Sequence, residues 1–252
     1  MRVWRLLPLR VDDAFYSMAL DEAILRLNAE GNSPNTLRFW RWQPSAVSLG
    51  YFQSVDREVD LSVAKKYGVD VVRRITGGGA VFHDYGGELT YSVVCKQSDV
   101  PSDIIESYRI ICGGLVEGFE RLGLSAEFKP VNDVVVNGKK ISGNAQTRRF
   151  GSVLQHGTIL IDPNIRLMFE LLKVSPEKIS DKFISSVYER VTSITRELCR
   201  KPSFEEVRDA MRFGFEASFG VKFEDGQLTQ EEINLAEELR EKYASKEWLN
   251  KR

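Results

Sequence analysis

Three features of this 252-residue sequence predict a mixed α+β fold. Strand-like segments dominate its middle, helical periodicity dominates its end, and the two do not alternate in the regular order of a parallel α/β sheet. The expected architecture is a mixed or antiparallel sheet packed with helices. No stretch reads as a linker, an internal repeat or a low-complexity segment, so residues 1–252 are expected to form one domain, with 165–252 mainly helical and packed on the rest.

Leu6 to Leu9 suggests a first strand, followed by an amphipathic helix from about Ala14 to Ala29 with Phe15, Met18, Ala19, Ile24 and Leu27 facing inward. Gly31-Asn32-Ser33-Pro34-Asn35 breaks the chain. Thr36 to Trp42 and Ala46 to Leu49 read as strands separated by a turn at Gln43-Pro44. A helix from Asp60 to Tyr67 ends at Gly68 as a C-cap, and Val69 to Arg73 is a strand entering a glycine run. Leu89 to Val94 alternates as a strand, and Pro101-Ser102-Asp103 announces a helix. In that helix Ile104, Tyr108, Ile111, Cys112, Leu115, Phe119 and Leu122 recur at helical spacing. Val134 to Val136 and Lys140 to Ile141 flank Asn137-Gly138, a two-residue hairpin signal. Gly157 to Ile161 is a further strand, and Ile165–Leu172, Ser203–Phe219 and Gln230–Tyr243 are helical.

Composition narrows the function. A net charge of -1 gives no bulk electrostatic reason to bind nucleic acid or a membrane surface. No apolar run approaches the roughly 20 residues needed to span a bilayer, and the amino terminus lacks a signal-peptide pattern, so a cytoplasmic protein is expected. Cys95, Cys112 and Cys199 are too scattered for a zinc site or redox dithiol, and Cys95 and Cys112 fit the pattern of buried apolar positions.

The densest chemical signal is Arg73-Arg74-Ile75-Thr76-Gly77-Gly78-Gly79-Ala80-Val81-Phe82-His83-Asp84. Three glycines let backbone N–H groups approach an anion, and the flanking guanidinium groups suit bidentate phosphate recognition. Neither a P-loop nor a dinucleotide fingerprint is present. A second cluster runs from Asn132-Asp133 through Lys140 to Gly143, where Asp133 could help hold magnesium and Lys140 could neutralise a phosphate and a polarised acyl oxygen. His156 and Gly157 form a third, and both histidines sit beside glycines, which suggests a shared pocket. Taken one at a time these have plainer readings: a tight turn, a surface hairpin and a structural histidine.

Together, Arg-Arg-x-x-Gly-Gly-Gly-Ala-Val-Phe-His-Asp, Asn132-Asp133, Lys140-Ile141-Ser142-Gly143 and His156-Gly157-Thr158 resemble the lipoate–protein ligase family of the biotin/lipoate ligase superfamily. The segments at Met18–Ala23 and Gly50–Gln53 add to the resemblance. It implies a class II aminoacyl-tRNA synthetase/biotin ligase-like fold and a two-step reaction. ATP and Mg2+ would convert lipoate to lipoyl-AMP, and the lipoyl group would pass to a lysine of a 2-oxoacid dehydrogenase E2 domain or glycine-cleavage H protein. By resemblance, Arg73, Arg74, Gly77, Gly78, Gly79, Ala80, Val81, Phe82, His83, Asn132 and Asp133 would bind ATP and the adenylate, with Asp133 on the metal. Lys140 would be catalytic, and His83, Lys140, Gly143, His156 and Gly157 would line the lipoyl pocket.

Two departures bear on this expectation. Family ligases often carry a carboxy-terminal accessory domain, whereas here Tyr243–Asn250 is followed by Lys251 and Arg252 only, as in split archaeal ligases with a separate accessory subunit. Free-lipoate activation by this chain alone is therefore expected to be weak. Sister octanoyltransferases dispense with ATP and use a cysteine shortly before the segment matching Asp133–Val136, but Leu122–Val131 contains none. The ATP-dependent ligase is accordingly the main expectation. An ATP-independent octanoyl/lipoyl transferase and a non-catalytic lipoyl or nucleotide-binding module are its alternatives.

Overall fold

In the computed structural model, residues 2–173 and 187–251 are described. Strand β1 (Arg2–Leu6) is followed by β2 (Arg10–Asp12) and helix α1 (Ala14–Glu30). Asp13 caps α1 by accepting from the Phe15 and Tyr16 amides, and Gly31 closes it in the left-handed region. Then come β3 (Thr36–Trp42), β4 (Ala46–Leu49), α2 (Val55–Glu58), α3 (Leu61–Tyr67), β5 (Asp70–Arg73), β6 (Val81–His83) and β7 (Glu88–Lys96). Helix α4 (Ile104–Arg121) precedes β8 (Ala126–Lys129), β9 (Asp133–Val136), β10 (Lys139–Arg149) and β11 (Ser152–Leu160). The remainder comprises α5 (Ile165–Leu171), α6 (Ile194–Leu198), α7 (Phe204–Phe219), β12 (Val221–Asp225), α8 (Gln230–Ala244) and α9 (Lys246–Leu249).

The main sheet is mixed, ordered β12-β1-β3-β7-β11-β10-β9-β8, with β2 also pairing β3; a smaller sheet is ordered β5-β4-β6. Strand alternation sends Leu37, Phe39, Tyr91, Val93, Val153 and Ile159 to one face, where they pack with Ile111, Leu115 and Phe119 of α4 and Met211 and Phe215 of α7. Trp40, Val94 and Leu154 point to the opposite face against Met18, Leu20 and Ile24 of α1 and Ala236, Leu239 and Tyr243 of α8. Val47, Leu49 and Phe82 of the small sheet form a third core with Val59 and Leu171.

Several elements depart from the sequence expectations. The first strand is Arg2–Leu6 rather than Leu6–Leu9. Trp4 and Leu6 supply its buried side, and Pro8 has no N–H to continue a ladder. Strand β10 continues past Ile141 to Arg149, because its polar residues pair with β11 from Asn144–Gly157 to Arg149–Ser152. The short strands β2, β6 and β8 carry too little periodicity to be read locally. Within the segment after residue 165 the sequence expectations omit β12, which aligns parallel to β1 and places Val221 and Phe223 in the core.

Helices α4 and α7 touch through glycines. A Cβ on Gly214 would lie 2.1 Å from the Gly114 carbonyl oxygen and 2.4 Å from the Gly118 nitrogen, so the two backbones set their own distance of approach. Gly214→Ala is expected to destabilise the protein by about 1–3 kcal/mol through overpacking. A denaturant unfolding midpoint equal to that of the parent would contradict this packing.

Candidate active site

A cavity of about 320 Å³ opens between the α1 side of the main sheet and the small sheet. That volume lies at the lower end of the range of about 300–1,000 Å³ usual for small-molecule sites. Met18, Phe82, Leu160, Ile165, Met168 and Leu172 give it apolar walls, and Ser48, Arg74, His83, Asn132, Lys140, Asn144 and His156 supply polar groups.

The glycine loop forms one wall and is organised by Arg74. Its Nη2 donates to the carbonyls of Gly77 (2.7 Å) and Gly79 (2.8 Å), its Nη1 to the Ser48 carbonyl (3.0 Å) and hydroxyl (3.2 Å), and its Nε to the Thr76 hydroxyl (3.0 Å). These acceptors are neutral, and burial lowers the guanidinium pKa to about 10. Gly78 sits at φ 95°, and a Cβ on Gly50 would come within 1.9 Å of its carbonyl oxygen, so loop and strand end are in direct backbone contact.

Two relays converge on Arg74. The Ser48 hydroxyl lies 2.8 Å from His83 Nε2, and His83 Nδ1 lies 2.8 Å from Glu88 Oε2. Trp42 stacks on the His83 ring at 4.1 Å, and Thr90 donates to the second Glu88 oxygen. The Thr76 hydroxyl lies 2.7 Å from His156 Nε2, and His156 Nδ1 lies 2.9 Å from Asp21 Oδ2. Burial alone would raise the Asp21 carboxyl, but Arg38 and His156 together hold it below its ordinary range. Burial lowers the pKa of His156 despite the Asp21 charge. Acceptor-only carboxylates at each Nδ1 fix the tautomer with Nε2 accepting from the hydroxyl.

Opposite, Lys140 is half-exposed, with Nζ 2.7 Å from Asp133 Oδ1. A Cβ on Gly143 would lie 2.8 Å from Lys140 Nζ, so this glycine leaves room for the lysine to lie across β10. Asn144 donates through its backbone and side-chain nitrogens to the Asn132 carbonyl and accepts from the Tyr91 hydroxyl at 2.6 Å. That knot ties the approach to β9 to the middle of β10.

The fold brings most predicted site residues to this cavity. Arg74, Gly78, Gly79, Ala80, Val81, Phe82, His83, Asn132, Lys140, Gly143, His156 and Gly157 line it. Gly77 and Asp133 stand behind that lining, in the loop closed by Arg74 and in the ion pair with Lys140. Arg73 points away: its side chain donates to the carbonyls of Gly50, Tyr51, Trp248 and Leu249 and holds α9 to the small sheet. The expected role of Arg73 on a nucleotide is therefore corrected to an internal clamp. Among the described residues no group of three or more His, Cys, Asp or Glu converges. Asp133 is instead paired with Lys140.

Sequence reasoning missed Ser48, Glu88, Asp21 and Thr76, the partners of the two histidines. Ser48 and Glu88 occupy strand positions with no motif around them. Asp21 lies on the buried face of α1, where an uncompensated carboxylate would be costly, and that was its available signal. Cys95 and Cys112 are buried and pushed up to about 12 by burial, and Cys199 is exposed at the end of α6.

An apolar cavity facing a lysine, with a glycine loop as its wall, has the make-up of a small-molecule site. Residues 13–216 match the family model of the lipoyl protein ligase A/B catalytic domain, and the chain belongs to this family. It is 39% identical over 274 aligned residues to octanoyltransferase LipM of Brevibacillus brevis, covering 98% of this chain and 99% of that one. It superposes with TM-score 0.90 on the bi-partite lipoate protein ligase from Thermoplasma acidophilum, at 37% identity, covering 100% of this chain and 97% of the other. The fold extends to a biotin protein ligase from Aquifex aeolicus at TM-score 0.50 and 16% identity, covering 86% of this chain and 70% of that one. The protein is thus a member of a family of catalytic domains, with an α+β, biotin ligase-like fold. No helix among the described residues is long and apolar enough to cross a membrane.

One expectation is overturned. The ATP-dependent ligase reading gives way because curated relatives at 34–39% identity over nearly the whole chain are octanoyltransferases. The absence of a cysteine between Leu122 and Val131 had favoured ATP, but it tests one nucleophile position rather than the source of activation.

The buried relay has a pH consequence. The unfolded chain takes up a proton on His156 near its ordinary pKa of 6.5, whereas the folded form resists it. The unfolded state then binds more protons, so stability declines as pH falls below that value and until the lowered folded pKa is passed. His156→Gln is expected to flatten the stability profile below about pH 6.5. Equal slopes for the two proteins in urea titrations would contradict it.

Proposed function

We propose that this chain is an ATP-independent acyltransferase. It moves an octanoyl or lipoyl group from a thioester donor to the ε-amine of a lysine on an acceptor domain. The observation that carries this reading is the apolar cavity with Lys140 among its polar lining, in a chain whose curated relatives are octanoyltransferases. The acceptors are lipoyl domains of 2-oxoacid dehydrogenases or the glycine-cleavage H protein, and the reaction is cytoplasmic. The T. acidophilum ligase was studied with its E2 lipoyl domain, which supports that acceptor class. An accessory subunit would serve an adenylating step, which this reaction does not contain.

In the overall reaction the thioester C–S bond breaks, an amide C–N bond forms, and the amine proton leaves with the thiol. Negative charge develops on the acyl oxygen as the carbon becomes tetrahedral. The Lys140 ammonium stabilises that charge, and Asp133 and the vacancy above Gly143 hold the lysine in place. The apolar walls accept the aliphatic tail and keep water from the activated carbon.

An acceptor domain incubated with octanoyl-carrier thioester and this protein, without ATP, is expected to gain one octanoyl group on one lysine by mass spectrometry. Modification that appears only with ATP and the free acid would overturn the proposal. Lys140→Ala is expected to lower transfer by about 100-fold or more, as loss of one stabilising donor does. The half-exposed site should cost stability no more than about 0.5 kcal/mol. Unchanged transfer in that variant would remove the lysine from the mechanism.

A further inference from the structure

Resting on the transfer reading, we propose that Ser48 is an acyl-accepting nucleophile, with His83 as its general base and Glu88 as the residue that positions the histidine. A two-step thioester transfer needs a nucleophile on the enzyme, and none of the three thiols lines the cavity. Ser48 does line it. Its Oγ lies 2.8 Å from His83 Nε2, and His83 Nδ1 lies 2.8 Å from Glu88 Oε2. That is the nucleophile–base–orienter geometry of covalent acyl transfer.

The strands impose this arrangement. In the small sheet β4 and β6 are antiparallel with Ala46 opposite His83 and Ser48 opposite Val81, which puts Ser48 and His83 on one face. Glu88 begins β7 and approaches from the main sheet. The Glu88 carboxylate is fully buried and accepts from both His83 and Thr90, while Trp42 stacks on the imidazole and donates to Thr90 at 2.6 Å. The imidazole is thus fixed in plane, tautomer and position. Arg74 Nη1, 3.2 Å from Ser48 Oγ, places positive charge where an alkoxide would form.

The second relay has the same chemistry but another place in the fold. Thr76 is fully buried and is not part of the cavity wall, so the Thr76–His156–Asp21 chain presents its histidine and not its hydroxyl to the cavity.

The steps balance. Ser48 Oγ attacks the thioester carbonyl carbon; a C–O bond forms, the C–S bond breaks, and the hydroxyl proton passes through His83 Nε2 to the departing thiolate. The acceptor amine then attacks the serine ester; a C–N bond forms, the C–O bond breaks, and the amine proton returns through His83 to Ser48 Oγ. No oxidant, metal or nucleotide is consumed.

The test uses the full chain with octanoyl-carrier thioester alone, acid-quenched and read by intact mass and peptide mapping. One octanoyl adduct on the Ser48 peptide is expected, stable to neutral hydroxylamine as an oxygen ester is. Ser48→Ala should abolish the adduct and lower transfer by roughly 100-fold or more. Ser48→Cys should restore an adduct that neutral hydroxylamine now cleaves, which also reports an intact site. A wild-type protein with no adduct at any quench time, an adduct on Cys199, or Ser48→Ala transferring at the parental rate would each overturn the proposal. ATP-free transfer persisting in Ser48→Ala removes the serine and leaves the transfer reading standing. Absence of ATP-free transfer in the parent removes the transfer reading, and the donor-only adduct still decides the serine.

Discussion

Burying the Arg74 guanidinium without a carboxylate partner is the constraint around which this site is built. A cation taken out of water must recover its solvation from the protein, and here it does so through five neutral acceptors. Two are carbonyls of the glycine loop, which therefore cannot open without stranding buried charge. Two more are the Ser48 carbonyl and hydroxyl and the fifth is the Thr76 hydroxyl, and the hydrogens of the two hydroxyls then face the histidines. The loop's shape, the hydroxyl orientation and the imidazole tautomers follow from satisfying one cation.

Arg73 carries out the complementary task on the other side of the strand. It joins the carbonyls of Gly50 and Tyr51 to those of Trp248 and Leu249, and the Trp248 indole returns a bond to the Arg73 carbonyl at 2.9 Å. Nearby, the buried Glu22 carboxylate accepts from Lys242 and the Tyr243 hydroxyl, tying α8 to α1. The last two helices thereby become a brace behind the glycine loop. Adjacent arginines that look alike in sequence are separated by strand alternation, one toward the cavity and one toward the brace.

The long elements were legible because their signals are local. Asp13, Asp103 and Thr229 cap helices, apolar spacing marks α4, and Asn137-Gly138 joins β9 to β10. The site was legible where glycine, lysine and histidine cluster in sequence, since such groups have few other reasons to coincide. Glu88 and Asp21 were not, because a carboxylate that orients a histidine is chosen by three-dimensional proximity; Asp21 is 135 positions from His156. Likewise β12 looks like a charged surface segment until its parallel partner β1 is in place. The source of acyl activation was read wrongly for a different reason: a missing residue at one position says little when another wall can supply a nucleophile.

For the proposed transfer, the cavity constrains the acyl group more firmly than its origin. The apolar walls and Lys140 meet requirements common to an adenylate and a thioester, since both present a tail and a carbonyl oxygen that gains charge. What separates the two chemistries is whether the remaining polar groups are arranged for a triphosphate or for a proton relay. In this chain Arg74 spends its donors inside the loop, Arg73 faces the brace, and Asp133 is engaged by Lys140. The groups left with hydrogen-bonded, directional proton paths are the hydroxyl–histidine–carboxylate chains, and of their two hydroxyls Ser48 is the one that lines the cavity. Half-exposed Lys140, held by Asp133 across Gly143, faces that wall, so the proposed nucleophile and the cation for the acyl oxygen stand on opposite sides of the cavity.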